Sequence, residues 1–157
     1  MLDIYEMGSK EMHALLQRVQ LGHLGCSFEG QPYVLPMHYF LDDPYIYLFT
    51  TEGMKTHYID ANPEVCLQVE EIHSPAQWCS VVVTGRAEHL TQQQDIDRAM
   101  QLVKAHNPTL SPAISRVWID AWGRSNVITI YRIQVREMTG HITEELMNSR
   151  KLSKASS

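Results

Sequence analysis

Apolar residues near the start of the chain recur at the spacing of an amphipathic helix. Four of them stand at positions i, i+3, i+4 and i+7, which places their side chains on one helical face. They are Met12, Leu15, Leu16 and Val19. The pattern predicts a helix over 9–20, with Ser9 as its N-cap and Gly22 as its stop signal.

Two further helices are predicted from shorter patterns. One covers 55–61 and is closed by the Asn62-Pro63 pair. The other opens with Thr91 and Gln94 in capping-box positions and stops at Asn107-Pro108. Its predicted buried side chains are Ile96, Ala99, Met100 and Val103. The segment 109–123 is ambiguous and fits a short helix together with a turn.

Between the helices, the sequence pattern predicts strands. Runs rich in aromatic and β-branched residues, or alternating between apolar and polar positions, are separated by turn residues. The predicted strands cover 23–28, 33–41, 45–50, 65–70, 78–90 and 125–136, and 72–77 is predicted to be a loop. Gly85, inside the predicted strand 78–90, predicts a bulge or bend.

Strands joined mainly by hairpins, with helices inserted at intervals, favour an antiparallel arrangement. The first three strands form two consecutive hairpins and predict a meander. We therefore predict a mainly β fold, an antiparallel β-barrel with inserted helices, rather than a parallel βαβ sheet. The predicted single domain covers 1–143, and the polar residues 144–157 predict a frayed tail.

Composition and charge narrow the class of protein. A chain of 157 residues with 44% hydrophobic and 20% charged residues is long enough to bury a core. The net charge of −5 disfavours nucleic acid as the main partner. No apolar run reaches the roughly 20 residues of a membrane span, and the first residues carry acids instead of a basic signal region. We expect a cytoplasmic protein without a membrane partner.

The three cysteines predict reduced thiols. Cys26, Cys66 and Cys79 cannot all pair with one another, and no CxxC spacing links them. Free cysteine is among the most buried residue types, so we expect them inside the sheet.

Candidate chemistry centres on the segment that follows the third predicted strand. Thr50 and Thr51 end the strand, Gly53 allows a turn, and Lys55 opens the next helix. Hydroxyl groups, helix N-terminal N–H groups and an ammonium group together suit a phosphate. A lysine in a first helical turn also opposes the macrodipole unless an anion lies nearby. The alternative is that the threonines merely end the strand and Lys55 pairs with Glu52 in solvent.

In order and spacing, several motifs resemble the pyridoxamine 5′-phosphate oxidase-like FMN-binding split barrels, most closely the branch that includes nitroimidazole-resistance proteins. The strong motifs are GHLG at 22–25, GQPYVLPMHY at 30–39, TTEGMK at 50–55, ANP at 61–63 and WCSVVVTGRA at 78–87. A weaker similarity covers YRI at 131–133 and MTG at 138–140. The resemblance implies FMN as cofactor and a homodimer with the flavin at the subunit interface.

The resemblance also implies site residues. The second strand lies along the isoalloxazine ring in that family, and the phosphate is held by strand-end hydroxyls and a helix lysine. A polar residue early in the fifth strand meets the flavin of the other subunit. The corresponding residues are Leu35, Pro36, Met37 and His38 for the ring, Thr50, Thr51 and Lys55 for the phosphate, and Ser80 for the partner's flavin.

Two departures from the family bear on the substrate. The oxidases proper carry an Arg-Lys pair in the phosphate loop, where this chain has Met54-Lys55. They also hold pyridoxal phosphate with an arginine-rich C-terminal segment that this chain lacks. The resemblance therefore implies FMN without implying the vitamin substrate.

Histidines and tryptophans leave alternatives open. His38 is the candidate catalytic residue because of its place beside the expected ring, and the alternative is a strand histidine hydrogen-bonded to backbone. His57, Cys66, His73 and Cys79 lack the short paired spacings of zinc sites, so no metal site is predicted. Haem is the alternative cofactor, since a single histidine suffices as axial ligand. Trp118 and Trp122 either pack a helix on the barrel or line the open face of the flavin.

The leading functional hypothesis is an FMN-dependent oxidoreductase that acts on a small molecule such as a nitroaromatic or quinone-like acceptor. It would require an electron donor such as a nicotinamide nucleotide, although no GxGxxG fingerprint is present. The alternative is a non-catalytic flavin- or haem-binding module that stores or senses its ligand. The homodimer is expected to bury an apolar strand face formed by Val81, Val83 and their neighbours.

Overall fold

The computed structural model describes residues 1–51, 53–106 and 128–157 of the chain. Within them, seven strands and four helices are present. The strands are β1 (Ile4–Glu6), β2 (Leu21–Phe28), β3 (Gln31–Asp42), β4 (Tyr45–Thr51), β5 (Glu64–Ser74), β6 (Gln77–His89) and β7 (Ile128–Thr143). The helices are α1 (Ser9–Val19), α2 (Met54–Ala61), α3 (Gln93–His106) and α4 (Glu144–Ala155). The predicted features at 107–127, which include Trp118 and Trp122, lie outside the described residues.

Six of these strands close into an antiparallel barrel. Their order is β7-β4-β3-β2-β5-β6, and β6 pairs with β7 to complete the ring. The short strand β1 adds to the end of β7, with Tyr5 opposite Ile142. Strands β2, β3 and β4 are neighbours in chain order. The predicted mainly β, antiparallel barrel and its meander are therefore confirmed.

Alternate side chains of the barrel strands point into one apolar core. On β6, Val81 and Val83 are 0% and 1% exposed, whereas Val82 between them is 36% exposed. Helix α1 adds Leu15 and Leu16 to this core, and α4 adds Leu146. We call the side of the sheet that faces this core the inner face and the opposite side the outer face.

A second apolar cluster lies where α3 covers part of the outer face. Phe40, Tyr47 and Phe49 alternate with core residues on β3 and β4, so they point outward toward the helix. Ala99, at 0% exposure, and Val103, at 3%, supply the helical side of the cluster. Helix α3 begins at Gln93, so the predicted cap at Thr91 is wrong. The carbonyl of Gln92 instead accepts the first helical bond from Ile96.

Helix α1 begins and ends differently from its prediction. Its N-cap is Gly8, in extended backbone, and not Ser9. The helix ends at Val19, and its C-cap is Gln20, whose φ of 63° is left-handed, so it stops before Gly22. The Tyr39 hydroxyl accepts from Gln20 N at 3.3 Å and donates to the Leu16 carbonyl at 2.6 Å. A buried phenol on β3 thus satisfies the last turn of α1, and no local sequence signal encodes this contact.

Gly22 and Gly85 are required by close approach of neighbouring strands. A Cβ on Gly22 would lie 2.8 Å from the carbonyl oxygen of Gln68. A Cβ on Gly85 would overlap the carbonyl oxygen of Gln134 on β7. The β6–β7 register shifts between Thr84 and Gly85, which confirms the predicted irregularity at Gly85.

Several strands are longer than the sequence predicts. Strand β5 extends to Ser74 and β6 begins at Gln77, with Ile72 paired to Trp78, so the predicted loop over 72–77 is wrong. Strand β7 continues to Thr143 instead of ending at 136. The extension of β7 pairs with strands that are distant in sequence, and the ends of β5 and β6 pair with each other across a tight turn. The polar residues in these segments give no local pattern from which such pairing could be predicted.

The predicted frayed tail is also wrong, because residues from Glu144 onward form helix α4. Leu146 is 4% exposed in the main core, and Arg150 donates to Glu71 at 2.7 Å. A short helix is stabilised mainly by tertiary packing, which its own polar composition does not reveal. None of the described helices is long and apolar enough to cross a bilayer.

Candidate functional site

Strands β3 and β4 part at a gap that contains most of the predicted site. Their ladder covers only the end of β3, from Tyr39 opposite Leu48 to Asp42 opposite Tyr45. Toward its start, β3 stays paired with β2, while β4 continues to Thr51 paired with β7. No ladder between described residues joins 35–38 of β3 to 49–51 of β4, and we call this opening the β3–β4 gap.

The four residues predicted to contact a ring are divided between two faces of β3. Met37 is 4% exposed and lies in the main core, against which Leu35 also packs. Pro36 is exposed and His38 half-buried on the outer face. Because alternate backbone groups of a strand point to opposite edges, part of the N–H and C=O groups of 35–38 point away from β2, toward the gap. Tyr39 N donates to the Gln20 carbonyl on the β2 side, so the backbone groups of Met37 and Leu35 face β2 as well. Pro36 and His38 direct their backbone groups toward the gap and their side chains to the outer face.

His38 is held in its neutral form. Burial lowers the pKa of its imidazole, and a hydrogen bond with the Gln20 backbone acts in the opposite direction. His38 stands opposite Leu21 in the β2–β3 ladder. A neutral imidazole can donate one hydrogen bond and accept another at neutral pH.

On the other side of the gap, the end of β4 is less open than the sequence suggests. Thr50 is 9% exposed and pairs in register with Thr129, which is 4% exposed. Thr51 pairs with Ile128 through its backbone. The side chain of Thr50 is thus buried in the barrel, although the backbone of Thr50 borders the gap.

Helix α2 starts directly after β4 and carries Lys55 in its first turn. Lys55 is half-buried and has no ion-pair partner among the described residues. The predicted alternative partner, Glu52, lies outside them. The first turn of α2 contains no acidic residue, so nothing in this turn offsets the positive end of the helix dipole.

Thr56 organises this helix start and was not predicted from the sequence. Its hydroxyl accepts from Gly53 N at 2.9 Å and donates to the Gly53 carbonyl at 2.7 Å. The N–H groups of Met54 and Lys55 have no partner within the helix, by the geometry of any helix start. The spacing of Gly53 and Thr56, three residues apart as in a capping box, was the available signal.

Ser80 lies on the outer face in a row of polar side chains. Gln68 joins the row: its amide oxygen is 3.1 Å from His23 Nδ1 and its amide nitrogen donates to Ser80 Oγ at 3.0 Å. The same nitrogen donates to Glu70 at 3.0 Å. We call His23, Gln68 and Ser80 the outer row. His23 and Gln68 were missed, although their alternation with apolar Leu24 and Leu67 indicates this face.

The outer row separates Ser80 from the β3–β4 gap of its own chain. His23 is opposite Pro36 on β3 and Gln68 on β5, so two strands intervene between Pro36 and Ser80. Three strand spacings amount to roughly 14 Å. The structure therefore brings together the predicted β3, β4 and α2 residues around one opening, and does not bring Ser80 to it.

The expected apolar partner face is corrected by the structure. Val81 and Val83 lie in the chain's own core and have no surface for a second subunit. The outward, exposed apolar residues include Val82 at 36%, Leu21 at 46% and Val34 at 67% exposure. A run of three valines has no alternation of polarity, so the sequence did not reveal which of them points inward.

The cysteines behave as predicted. Cys26 and Cys79 are buried, Cys66 is half-buried, and all three are free thiols in strands. Burial raises the pKa of the Cys79 and Cys26 thiols, which keeps them protonated. Among the described residues, no group of three His, Cys, Asp or Glu side chains is arranged to hold a metal ion.

Comparison with protein families gives one match over most of the chain. Residues 8–142 match the model of the pyridoxamine 5′-phosphate oxidase family. An uncharacterized protein of Rhizobium meliloti is 36% identical over 88 residues, which cover 56% of this chain and 58% of that protein. The chain thus matches little more than half the length of this relative.

Solved structures share the fold along almost the whole chain. An FAD-binding protein from Mesorhizobium loti is 28% identical with a TM-score of 0.71, and the match covers 92% of this chain and 99% of that one. A proposed 5-nitroimidazole antibiotic resistance protein from Bacteroides thetaiotaomicron is 17% identical with a TM-score of 0.69, covering 91% and 89%. The second similarity is one of fold.

Proposed function

Because this chain belongs to the pyridoxamine 5′-phosphate oxidase family, we propose that it binds FMN and uses it to oxidise or reduce a small molecule. Membership confirms the family predicted from the sequence motifs. The similar Mesorhizobium protein is an FAD-binding protein, which supports a flavin as the ligand class.

The observation that carries the proposal is the β3–β4 gap. The gap is bordered on one side by the unpaired strand edge at 35–38 and on the other side by the start of α2. A flavin needs both: backbone donors and acceptors along the polar edge of its ring, and a cationic, N–H-rich cradle for its phosphate. The residues around the gap fit this requirement.

Lys55 and the α2 N-terminus are the proposed phosphate site. The ammonium of Lys55 and the N–H groups of Met54 and Lys55 all favour an anion, and no acidic residue in the first turn opposes them. Thr56 fixes the conformation of Gly53, so the helix start is ordered before a ligand arrives. Thr50 would contribute through its backbone rather than its buried hydroxyl.

The flavin, when bound, would supply the hydride or electron transfer. The chain's part is to orient the ring and to control protons beside it. His38, neutral and half-buried on the outer face, is the proposed residue for donating a hydrogen bond near the reacting edge. A nicotinamide nucleotide donor and a nitroaromatic or quinone-like acceptor would bind one after the other at the same open face of the flavin.

A homodimer with shared sites is part of the proposal. Ser80 is about three strand spacings from the gap of its own chain, which supports a role toward the flavin of a second subunit. The exposed Leu21, Val34 and Val82 on the same outer face supply apolar surface for such a contact. A two-fold axis would then generate two equivalent sites.

Reconstitution with isolated flavins tests the ligand. Protein stripped of ligand is titrated with FMN, FAD and haem, and binding is read from the visible spectrum and flavin fluorescence. We expect saturable FMN binding and tenfold to hundredfold weaker binding by Lys55→Ala, about 1.5–3 kcal/mol for a charge-assisted contact. Lys104→Ala, on the exposed side of α3, is the matched control and should bind FMN like the parent.

Three results would contradict the proposal in distinguishable ways. Binding of haem without flavin would favour the haem-binding module. Tight FMN binding unaffected by Lys55→Ala would remove α2 from the site. Flavin that binds but is not reduced by NADH or NADPH, and not reoxidised by a nitroaromatic or a quinone, would favour the non-catalytic module.

Sedimentation tests the shared site. Ligand that binds only the dimer stabilises it by mass action, so the FMN-loaded protein should remain dimeric at dilutions where the stripped protein dissociates. A flavin-saturated monomer would contradict the role proposed for Ser80.

A further inference from the structure

A cleft of about 360 Å³ lies between α1 and α4, away from the β3–β4 gap. On each helix, the lining residues recur at helical spacing and form one face. They are Glu11, Ala14 and Arg18 on α1, and Met147, Arg150, Lys151 and Lys154 on α4, with Ile142 of β7 adding to the lining. Its volume lies within the usual range for small-molecule sites.

The lining has an excess of positive charge although the chain as a whole has a net charge of −5. Four of the lining side chains are cationic, namely Arg18, Arg150, Lys151 and Lys154, and Glu11 is the acidic one. Glu71, just outside, accepts from both arginines. The two carboxylates offset two of the four positive charges, so two remain for a ligand.

Glu71 fixes the two guanidinium groups at one end of the cleft. It accepts from Arg18 Nε at 2.8 Å and from an Arg150 terminal nitrogen at 2.7 Å. Each guanidinium has five N–H donors, so most of them remain for another acceptor. Arg150 is also 3.6 Å from the buried Cys79 sulfur, which further limits its movement.

Lys151 and Lys154 extend the cationic lining along α4, Lys151 directly after Arg150 and Lys154 one turn beyond it. Within the described part of the chain, neither has an ion-pair partner. Lys154 is four residues beyond Arg150 on the same helical face, which is roughly 6 Å along α4. Ala14, Ile142 and Met147 provide apolar surface in the same cleft.

We propose that this cleft binds a short dicarboxylate. One carboxylate would be held by Arg18 and Arg150 and the other by Lys151 and Lys154, with the hydrocarbon spacer against Ala14, Ile142 and Met147. Four cations on two helices, with Arg150 and Lys154 roughly 6 Å apart along α4, match a dianion with separated ends better than a compact anion. Guanidinium groups also suit the planar geometry of a carboxylate.

Glutarate is the probe, titrated into the FMN-loaded protein at constant ionic strength. Methionine ε-methyl groups labelled with carbon-13 report the location, since Met147 lines the cleft and Met54 lies at the start of α2. We expect a saturable shift of the Met147 signal and no shift at Met54. Butyrate, with one carboxylate, should bind about tenfold more weakly, and inorganic phosphate should not saturate the signal.

Three variants test the assignment. Lys151→Gln with Lys154→Gln removes two exposed cations and should weaken glutarate binding about tenfold. Glu11→Gln removes the opposing carboxylate and should tighten binding about twofold to threefold. Lys10→Gln, on α1 but outside the lining, is the matched control and should have no effect. Circular dichroism confirms that each variant is folded.

The proposal fails if Met147 shows no saturable shift up to about 50 mM glutarate, since weaker binding would not be specific. It fails also if butyrate binds as well as glutarate, or if Lys10→Gln weakens binding as much as the double lysine variant. A shift at Met54 without one at Met147 would place the anion at the α2 start and would equally overturn it.

Discussion

The inner and outer faces of β2, β5 and β6 are made by the same strands and differ in almost every physical respect. Inward residues such as Leu24, Leu67 and Val83 are at most 1% exposed and purely apolar. Outward residues mix the hydrogen-bonded outer row with exposed Leu21 and Val82. One face is a packed core, and the other is a surface with both apolar area and polar groups.

Along one strand, residues that stabilise the fold therefore alternate with residues that can contact a ligand or a partner. Burial of apolar side chains stabilises the inner face, so truncating one of these side chains lowers the free energy of unfolding strongly. The hydrogen bonds of the outer row, exposed between His23 and Gln68 and half-buried between Gln68 and Ser80, contribute little to stability, so these residues are available for contacts with a ligand or a partner. Mutations at neighbouring positions on one strand should therefore differ strongly in their effect on stability.

The largest effect is expected at Gly85 on the inner face. Gly85→Ala places a Cβ against the Gln134 backbone oxygen and the Ile133 side chain, and should destabilise the protein by about 3 kcal/mol or more. Gly140→Ala is the control, because its Cβ would meet side-chain atoms and no backbone, namely Met12 Cγ and Sδ at 2.9 Å and Met7 Cβ at 3.2 Å. It should cost clearly less, since the methionine side chains can shift. Urea denaturation measures both, and equal losses would show that β7 moves away from β6 freely.

Adjacent valines on β6 give the most direct test of the two faces. Val83→Ala should lower the free energy of unfolding by about 2–3 kcal/mol through lost burial and a cavity. Val82→Ala, with the same change in size one position earlier, should stay within about 0.5 kcal/mol. Similar values for the two variants would refute the assigned orientation of the strand.

Glu71, at the rim of the inner face, should make a smaller, pH-dependent contribution. The hydrogen bond from Arg18 holds the pKa of its carboxyl below the ordinary value, against the opposing effect of burial, with further help from His73 and Arg150. The stabilisation is therefore present above the ordinary pKa and lost as the pH falls through the lowered one. Glu71→Gln should cost about 1 kcal/mol at pH 7. The difference from the parent should vanish well below about pH 4, and a difference constant with pH would exclude this cause.

The smallest effect on stability is expected in the outer row. Ser80→Ala removes one half-buried hydrogen bond from Gln68 and should change the unfolding free energy of the stripped protein by less than about 0.5 kcal/mol. FMN affinity, measured by titration, should nevertheless fall several-fold if Ser80 serves the partner's flavin. A stability loss with unchanged affinity would reverse this assignment.

Much of the fold could be predicted because its signals are local. The turn residues between β2, β3 and β4 and the helical spacing of Met12, Leu15 and Leu16 each lie within a short window. Features set by distant partners could not be predicted. The end of α1 depends on Tyr39, the extension of β7 on its ladder with β6, and helix α4 on the burial of Leu146.

The candidate site shows the same division. Lys55 at a helix start and His38 on a strand were identified by residue type and context. Which of 35–38 point outward depends on strand parity within the barrel, and the network of His23, Gln68 and Ser80 depends on the pairing of three strands. The sequence motif marks the segment, whereas tertiary pairing decides the orientation of each side chain in it.

Strand β7 closes the barrel from the far end of the described chain. Residues 128–134 pair with β4, 131–142 pair with β6, and 141–143 pair with β1. During synthesis, the other five barrel strands leave the ribosome before β7 does. Until then β4 and β6 each present an open edge, the kind of surface that pairs with other chains. The nascent protein therefore has a long interval of exposure to aggregation, which ends only when the segment up to Thr143 has emerged.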